Sequence, residues 1–307
     1  PSIIRLSQQV ADLIAAGEVV ERPASAAKEL IENSLDAGAS HITVEIQNGG
    51  ITLLRVTDDG CGIPADEVET AFLRHATSKL RTKEDLEAIV TMGFRGEALA
   101  AISAVAKVEL LTRTEDAELG RRVVLAGGEV LSNEEAGCPK GTTIVLRDLF
   151  FNTPARHKFL KKDVTEAGYV ISACQRAALA RPDVAFKLIK NGELVLQTPG
   201  DGQLRTVIYC LFGNALAEQL LPVSGSHNGV TVSGFVGKPE AARGSRAMQY
   251  FWVNDRPVKN VTLQSAIEQA FRQQMTGGRF PVAFLNVTMS PRQVDVNIHP
   301  AKTEVKF

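Results

Sequence analysis

The stretch KELIENSLDAG, Lys28 to Gly38, decides how the first part of the chain folds. Its apolar residues recur at the spacing of an α-helix, and the final glycine stands where such a helix ends. The apolar side begins just before the stretch and consists of Ala26, Ala27, Leu30, Ile31 and Leu35. Because this side is broad, we predict a helix that packs against a sheet.

A polar stripe runs along the other side of the same helix and consists of Glu29, Glu32, Asn33 and Asp36. At about 100° per residue, the four fall within roughly a third of the circumference. One interpretation is an ordinary solvent-facing surface. The other is a cation site, because no lysine or arginine lies inside the stripe and Asn33 is a middling helix former in mid-helix. Clustered oxygen donors suit Mg²⁺, which commonly reaches a protein together with substrate phosphates.

Two glycine-bearing segments are candidates for holding such phosphates. VTDDGCGIP, Val56 to Pro64, follows a strand and places Asp58 at its end, with Gly60 and Gly62 in the next turn. TMGFRGEALAAIS, Thr91 to Ser103, places glycines just before a helix, whose first free N–H groups can bind an anion. Each segment is a weak signal by itself, since such turns are common. Together with the polar helix they form an ordered set, in a chain with no Walker A or GxGxxG motif.

The composition predicts a globular protein with a substantial core, since 44% of the 307 residues are hydrophobic and 22% are charged. The length predicts two domains, and TPGDGQ, Thr198 to Gln203, is the best linker candidate. No apolar run approaches the ~20 residues of a membrane helix, and the first residues lack a signal-peptide pattern. Widely spaced cysteines suit a reducing cytosol and indicate neither a zinc site nor a disulfide framework; they are Cys61, Cys138, Cys174 and Cys210.

The formal net charge of −1 gives no sign of a polyanion partner, so a contact with nucleic acid has to come from a local patch. The local candidate is RHKFLKK, Arg156 to Lys162. A solvated basic helix start is an equally good interpretation of this segment.

Helices and strands alternate along the chain, which predicts an α+β fold. A hairpin is expected around Gly49 and Gly50. Further expected elements are a helix from Pro64 to about Ala76, strands near 107–113, 121–126 and 142–147, a long helix at 163–181 and a hairpin at Asn191. For the second part we expect helices at 204–212 and near 262–275, strands near Val230 and Tyr250, and final strands at 282–289 and 293–298.

The motifs ENSLDA, DDGCGI, GFRGEAL and GTT, the last at Gly141 to Thr143, resemble the four nucleotide-binding motifs of the GHKL ATPase superfamily. Within it, IAAGEVVERP, FNTPAR and VDVNIHPAKTEV are similar to the MutL family of bacterial DNA mismatch repair proteins, in its N-terminal ATPase part. The resemblance covers the chain nearly end to end. It implies a GHKL-type α/β sandwich ATPase domain over 1–200 and a smaller, gyrase-like α+β transducer domain over 203–307.

The resemblance also implies roles for residues of the polar helix and the strands. Glu29 matches the glutamate that orients and deprotonates the attacking water. Asn33 matches the asparagine that holds Mg²⁺ against the ATP phosphates. Asp58 matches the aspartate that accepts a hydrogen bond from the adenine amino group, and Thr143 the threonine in the same polar network. Nothing in the matched motifs gives Glu32 or Asp36 a catalytic role.

Further nucleotide-binding residues follow from the same resemblance, including the turn glycines Gly60 and Gly62. Lys79 matches the end of a segment that orders around the nucleotide. The lid whose backbone amides wrap the phosphates matches Gly93, Phe94, Arg95, Gly96, Glu97, Ala98 and Leu99. Arg95 suits either a phosphate ligand or an ion pair that stabilises the lid.

Two residues of the second part also match family positions. Lys302 matches the lysine through which the second domain contacts the γ-phosphate and assists catalysis, although without the resemblance it reads as a surface lysine. Arg256 is similar in position to an arginine of a DNA-contacting groove.

Taken together, the resemblance implies an ATP-dependent switch in mismatch repair that hydrolyses ATP with Mg²⁺ and forms a homodimer when ATP binds. The implied partners are DNA, bound weakly and in a salt-sensitive manner, the mismatch-recognition protein MutS, and a downstream nuclease, helicase or sliding clamp. The expected location is the bacterial cytoplasm, near the nucleoid, with no membrane contact. No endonuclease motif is expected in this part of the protein.

Three other function classes are less well supported. A gyrase-type topoisomerase ATPase subunit shares the second-domain lysine, but its lid motif differs from GFRGEAL and FNTPAR has no place in it. A histidine kinase needs a phosphorylated histidine upstream of the polar helix. A binding module without catalysis conflicts with the presence of Glu29.

Overall fold

A computed structural model describes residues 8–73, 97–275 and 277–290 of the chain. The described residues form two compact units. The first unit contains residues 8–73, 97–175 and 184–197, and the second contains residues 176–183, 198–275 and 277–290.

The first unit is a layer of helices on a mixed, mostly antiparallel sheet. Its helices are α1 (Gln8–Val19), α2 (Pro23–Asp36), α3 (Ala98–Val105), α4 (Pro154–Phe159) and α5 (Asp163–Ala180), the end of which counts with the second unit. Its strands are β1 (His41–Gln47), β2 (Leu53–Asp58), β3 (Lys107–Arg113), β4 (Gly120–Ala126), β5 (Glu129–Ala136), β6 (Gly141–Arg147), β7 (Ala185–Lys190) and β8 (Glu193–Gln197). The sheet order is β5-β4-β3-β6-β2-β1-β7-β8, in which only β1 and β7 pair in parallel.

The helix predicted from Lys28 to Gly38 is α2. Pro23 stands in its first turn, where its missing N–H has no cost, and Gly38 follows its end with a φ of 72°. Its apolar side packs on β1 and β2, and Leu30 and Ile31 are fully buried there. The prediction of a helix packed on a sheet is therefore confirmed.

The first two strands form the hairpin that the sequence predicts. Gly49 and Gly50 have φ values of 70° and 91°, a region that side chains with a Cβ rarely adopt. A Cβ on Gly50 would also lie 2.9 Å from Pro23 Cβ. The turn therefore fits closely against the start of α2, and only glycine satisfies both requirements.

The first unit differs from the prediction in several details, and helix α1 was not predicted. Residues 64–73 form turns and a short 3-10 helix, Thr70–Phe72, where an α-helix was expected; the predicted part beyond residue 73 lies outside the described residues. Of these residues, only Val68 and Phe72 are buried. A longer helix here would therefore gain little stability from the burial of apolar side chains. The edge strand β5 was missed, because most of its residues are exposed and show no apolar alternation.

The second unit packs helices on a five-stranded sheet. Its helices are α6 (Leu204–Phe212), α7 (Asn214–Ala217) and α8 (Val261–Ala270), and its strands are β9 (Leu220–His227), β10 (Val230–Gly237), β11 (Gln249–Val253), β12 (Arg256–Val258) and β13 (Ala283–Thr288), in the order β12-β11-β13-β10-β9. Leu263 and Ile267 of α8 pack on one face, and the rings of Phe212, Tyr250 and Phe284 cluster in the same unit.

The element predictions for the second unit are largely confirmed. α6 has the predicted bounds, whereas α8 ends at Ala270, before the predicted Met275. The predicted strand at 293–298 lies outside the described residues. Within the described ranges, no helix is both long enough and apolar enough to cross a membrane.

Candidate functional site

The polar side of α2 places Glu29 and Asn33 one turn apart, about 6 Å along the helix axis. Both are half-buried at the surface of the first unit. The sequence places no lysine or arginine inside the polar stripe. In the structure, Lys28, which lies beside the stripe, reaches it: Lys28 Nζ lies 3.1 Å from Glu32 Oε1. The buried Glu32 is therefore paired with Lys28 on the same helix.

Asp58, at the end of β2, is held in one orientation by three hydrogen bonds. Ser34 Oγ, on α2, donates to Oδ2 over 2.6 Å, and the N–H groups of Gly60 and Thr142 donate to Oδ1 over 2.9 and 3.2 Å. Burial raises the pKa of the Asp58 carboxyl, and these hydrogen bonds oppose the increase. A carboxylate offers about four acceptor positions, so these three donors leave it able to accept one more N–H group.

The turn after Asp58 approaches α2 too closely for any residue with a side chain. A Cβ on Gly60 would lie 2.9 Å from the carbonyl oxygen of Ala37, and the N–H of Cys61 donates to that oxygen over 3.0 Å. Gly62 has a φ of 73°, and its Cβ would lie 2.2 Å from the carbonyl oxygen of Arg113. The two glycines predicted from the sequence therefore fix the turn between α2 and the sheet.

Strand β6 completes the polar network beside Asp58. Thr143 Oγ1 donates to Thr57 Oγ1 over 3.1 Å. Thr112 Oγ1 accepts from the N–H of Ile63 over 2.9 Å and lies 3.1 Å from the carbonyl oxygen of Gly141. The strands β2, β3 and β6 are thus joined through threonine hydroxyls at the end that carries Asp58.

Three residues that contribute here were assigned no individual role from the sequence: Ser34 and Gly141, which lie in the quoted motifs, and Thr112, which lies outside them. Ser34 is a polar residue beside the apolar positions of α2, and this was the signal available in the sequence. In the structure its exposed fraction is 3%. Gly141 has a φ of 112°, and its Cβ would lie 2.1 Å from the carbonyl oxygen of Asp58. Neither contact follows from local spacing, because the partners are 24 or more residues apart.

Asp59 faces the start of β1 and stabilises the turn after α2. Its carboxylate accepts from the N–H and hydroxyl of Ser40, at 2.7 and 2.6 Å, and from the N–H of His41 at 2.9 Å. Partial burial acts to raise its pKa, but the hydrogen bonds from Ser40 and His41 outweigh it and hold the pKa well below its usual range.

Helix α3 contributes a helix N-terminus to the same unit and packs against α2. Glu97 is its N-cap residue, and Ala98 and Leu99 form the half-buried first turn, where the helix dipole and free N–H groups favour an anion. Five predicted nucleotide-binding residues and the predicted phosphate sensor lie outside the described residues: Lys79, Gly93, Phe94, Arg95, Gly96 and Lys302.

The two predicted nucleic-acid contacts lie in surroundings that differ from a simple basic surface. Arg256, on β12 of the second unit, is only 7% exposed. In RHKFLKK, Arg156 is half-buried and donates to the carbonyl oxygen of Leu13 over 2.9 Å, so its guanidinium is directed toward α1. His157, Lys158, Lys161 and Lys162 of that segment are exposed.

Comparison with known proteins identifies the family. Residues 21–132 match the model for histidine kinase-, DNA gyrase B- and HSP90-like ATPases, and residues 208–307 match the model for the C-terminal domain of DNA mismatch repair proteins. The Aquifex aeolicus MutL ATPase domain complexed with ADP is 31% identical, with a TM-score of 0.66, over 89% of this chain and 94% of that one. This chain belongs to the MutL family of DNA mismatch repair proteins.

Other MutL proteins are similar along the whole chain. The protein from Agathobacter rectalis is 48% identical over 307 residues, which is 100% of this chain and 47% of that protein. The protein from Symbiobacterium thermophilum is 48% identical over 302 residues, 98% of this chain and 48% of that protein. This MutL-family chain therefore spans about half the length of the curated relatives it matches.

The fold class is confirmed by solved structures. Besides the Aquifex MutL domain, the ATPase region of Saccharomyces cerevisiae topoisomerase II superposes with a TM-score of 0.66 over 99% of this chain and 90% of that one. At 12% identity, that likeness shows the GHKL-type α+β fold alone. The resemblance of the motifs to MutL is confirmed, and the gyrase-type alternative is not favoured. The roles of the individual site residues stay predictions.

Proposed function

We propose that the first unit binds ATP and hydrolyses it with Mg²⁺, and that this cycle drives a switch in mismatch repair. The observation that carries the proposal is the Asp58 carboxylate, oriented by Ser34, Gly60 and Thr142 with acceptor capacity left over. The likeness to a MutL ATPase domain complexed with ADP supports it.

Asp58 selects adenine by accepting the N–H of its exocyclic amino group. Guanine has a carbonyl oxygen at the equivalent ring position, so two acceptors would face each other there. A site built around a buried acceptor rejects such an analogue, because the acceptor loses its hydrogen bonds to water without gaining a partner. The burial that raises the pKa of Asp58 also strengthens this discrimination.

Glu29 and Asn33 act at the phosphate end of the proposed nucleotide site. Glu29 orients the attacking water and accepts its proton, and Asn33 supplies a carboxamide oxygen to Mg²⁺. The donors suit this metal, because Mg²⁺ prefers oxygen ligands and commonly takes only one or two from the protein, with substrate phosphates supplying others. When bound, Mg²⁺ neutralises developing charge on the phosphate oxygens.

The remaining parts of the proposal concern residues beyond the described ranges and the whole protein. In this proposal the lid residues Gly93 to Gly96 and Lys302 bind the phosphates and Lys79 belongs to a segment that orders around the nucleotide, with Lys302 contributed by a transducer domain over 203–307. ATP binding drives dimerisation of this N-terminal part, and Arg256 contributes to a DNA contact. MutS and a downstream nuclease, helicase or sliding clamp are the proposed partners, in the bacterial cytoplasm.

Calorimetric titration with ATP and GTP in the presence of Mg²⁺, combined with a phosphate-release assay, tests the proposal. We expect ATP to bind and turn over and GTP to bind at least about tenfold more weakly. Asp58→Asn keeps the size of the side chain and is expected to lose the preference for ATP. Equal affinity of the unchanged protein for ATP and GTP, or no binding of either, would contradict the proposal.

A further inference from the structure

The segment Asp148–Arg156, here called the 148–156 turn, joins β6 to the first turn of α4 and has an unusual backbone. Phe150 has a φ of 68° and Asp148 a φ of 51°, although neither is glycine. The left-handed region is costly for a bulky residue and persists only where the surroundings enforce it. Phe150 is 1% exposed, so its ring is enclosed by the core. The buried ring and the fixed backbone together set the direction of its N–H group.

That direction leads to the C-terminal end of α3. The N–H of Phe150 donates to the carbonyl oxygen of Val105 over 2.7 Å, and Asn152 Nδ2 donates to that of Ala104 over 2.8 Å. The last carbonyl groups of a helix have no partners inside the helix and need donors from elsewhere. In α3 the 148–156 turn supplies two such donors, which anchor the end of α3 opposite its first turn.

The same turn holds α1 against the protein. Arg156 Nη2 donates to the carbonyl oxygen of Leu13, and a Cβ on Gly17 would lie only 1.8 Å from that nitrogen. The guanidinium therefore lies against α1 with Nη2 nearest, at a position where a side chain larger than that of glycine would displace it. α1 packs on α3, so the turn contacts α3 directly at its end and indirectly through α1.

We infer that Asn152 and Arg156 are positioning residues for phosphate binding, an inference that rests on the proposed function. α3 has eight residues and is therefore about 12 Å long. A rotation of about 5° around its anchored end moves its first turn by about 1 Å, which is enough to weaken contacts made to a phosphate. Loosening either anchor changes how the N–H groups of α3 meet the nucleotide.

This role predicts a loss that is specific for phosphates. Adenosine depends on Asp58 and the turn after β2, whereas the side-chain hydrogen bonds of Asn152 and Arg156 go to α3 and α1. ATP and ADP depend additionally on the first turn of α3. A purely structural role would weaken adenosine and ATP together, as the folded fraction falls.

The test measures the affinities of adenosine, ADP and ATP for the unchanged protein and for Asn152→Asp, Arg156→Lys and Gly17→Ala. Asn152→Asp removes the donor without changing the size of the side chain, Arg156→Lys removes the fork of donors, and Gly17→Ala displaces the guanidinium while Arg156 stays in place. Gly168→Ala is the control, since a Cβ there meets nothing within 4 Å.

We expect each of the three variants to bind ATP and ADP about tenfold more weakly and adenosine within about twofold of the unchanged protein. Gly168→Ala should match the unchanged protein for all three ligands. Equal weakening for adenosine and ATP, or no weakening of ATP, overturns the positioning role. If the unchanged protein binds adenosine but no nucleotide, the proposed ATPase function itself fails, and the inference fails with it.

Discussion

Asp58 and Asp59 are neighbours in the chain, yet the fold shifts the pKa values of their carboxyl groups in opposite directions. Asp58 faces α2, where burial raises its pKa more than its hydrogen bonds lower it. Asp59 faces the start of β1, where donors from Ser40 and His41 outweigh a smaller degree of burial. The charged form of Asp58 is thus disfavoured by burial in the candidate site. The charged form of Asp59 is favoured by its hydrogen bonds, which stabilise the neighbouring turn.

Asp58→Asn should change stability in a way that depends on pH. A raised folded-state pKa means that the contribution of Asp58 is fully present below its ordinary value of 3.8 and is lost as pH rises through the folded-state value. The melting temperature of the unchanged protein should therefore fall relative to that of Asp58→Asn as pH rises from acid to neutral. Thermal melts of both proteins across this range provide the measurement, and a difference that moves the other way contradicts the assignment.

Asp59→Asn should show the opposite dependence. With a lowered folded-state pKa, the stabilising contribution of Asp59 is present above 3.8 and is lost as pH falls through the folded-state value. Because the side chain is 40% exposed, we expect a loss of only about 1 kcal/mol at neutral pH. Urea unfolding of both proteins at several pH values measures the difference, which should shrink toward acid. A constant difference would show that the charge of Asp59 is not the cause.

Glu29→Ala and Asn33→Ala should separate turnover from binding. Glu29→Ala removes the proposed base and should lower turnover at least about a hundredfold with ATP affinity retained. Asn33→Ala removes the proposed metal ligand and should weaken Mg²⁺-dependent ATP binding at least about tenfold. Asp36→Asn, on the same stripe, serves as the control. Phosphate release and calorimetry are the measurements, and an equal loss of affinity in both variants would falsify the division of roles.

Gly141→Ala should be far more damaging than Gly38→Ala, although both glycines have positive φ values. A Cβ at Gly141 would lie 2.1 Å from the carbonyl oxygen of Asp58, whereas at Gly38 it meets nothing within 4 Å. We expect a loss of about 1 kcal/mol for Gly38→Ala and of several times that for Gly141→Ala, together with loss of ATP binding. Urea unfolding measures the loss of stability in each variant. Similar losses would mean that the positive φ, and not the contact of the Cβ with Asp58, determines the loss.

Nucleotide should change the oligomeric state. Gel filtration with Mg²⁺ and a non-hydrolysable ATP analogue should shift the chain from monomer to dimer, and Glu29→Ala should make the same shift with ATP itself. ADP provides the comparison, since it lacks the γ-phosphate that Lys302 is proposed to contact. A monomer under all conditions would count strongly against the switch.

Helices, strands and turns that depend on local periodicity could be predicted from the sequence. Contacts between residues far apart in the chain could not. The apolar spacing of α2 and the glycine pair after β1 predicted a helix on a hairpin, because period and turn chemistry are properties of adjacent residues. The exposed strand β5 lacked such a signal. Arg156 was interpreted as part of a basic surface, because nothing near it in the chain reveals that Gly17, 139 residues earlier, leaves room for its guanidinium.

The parallel pairing of β1 with β7 has a consequence for synthesis of the protein. β1 ends at Gln47, and its second neighbour in the sheet does not begin until Ala185. While the ribosome makes the residues between them, one edge of β1 has no strand to pair with, and an unpaired edge invites association with other chains. A shortened fragment of the first unit should therefore extend through Gln197, so that β7 pairs with β1 and β8 pairs with β7.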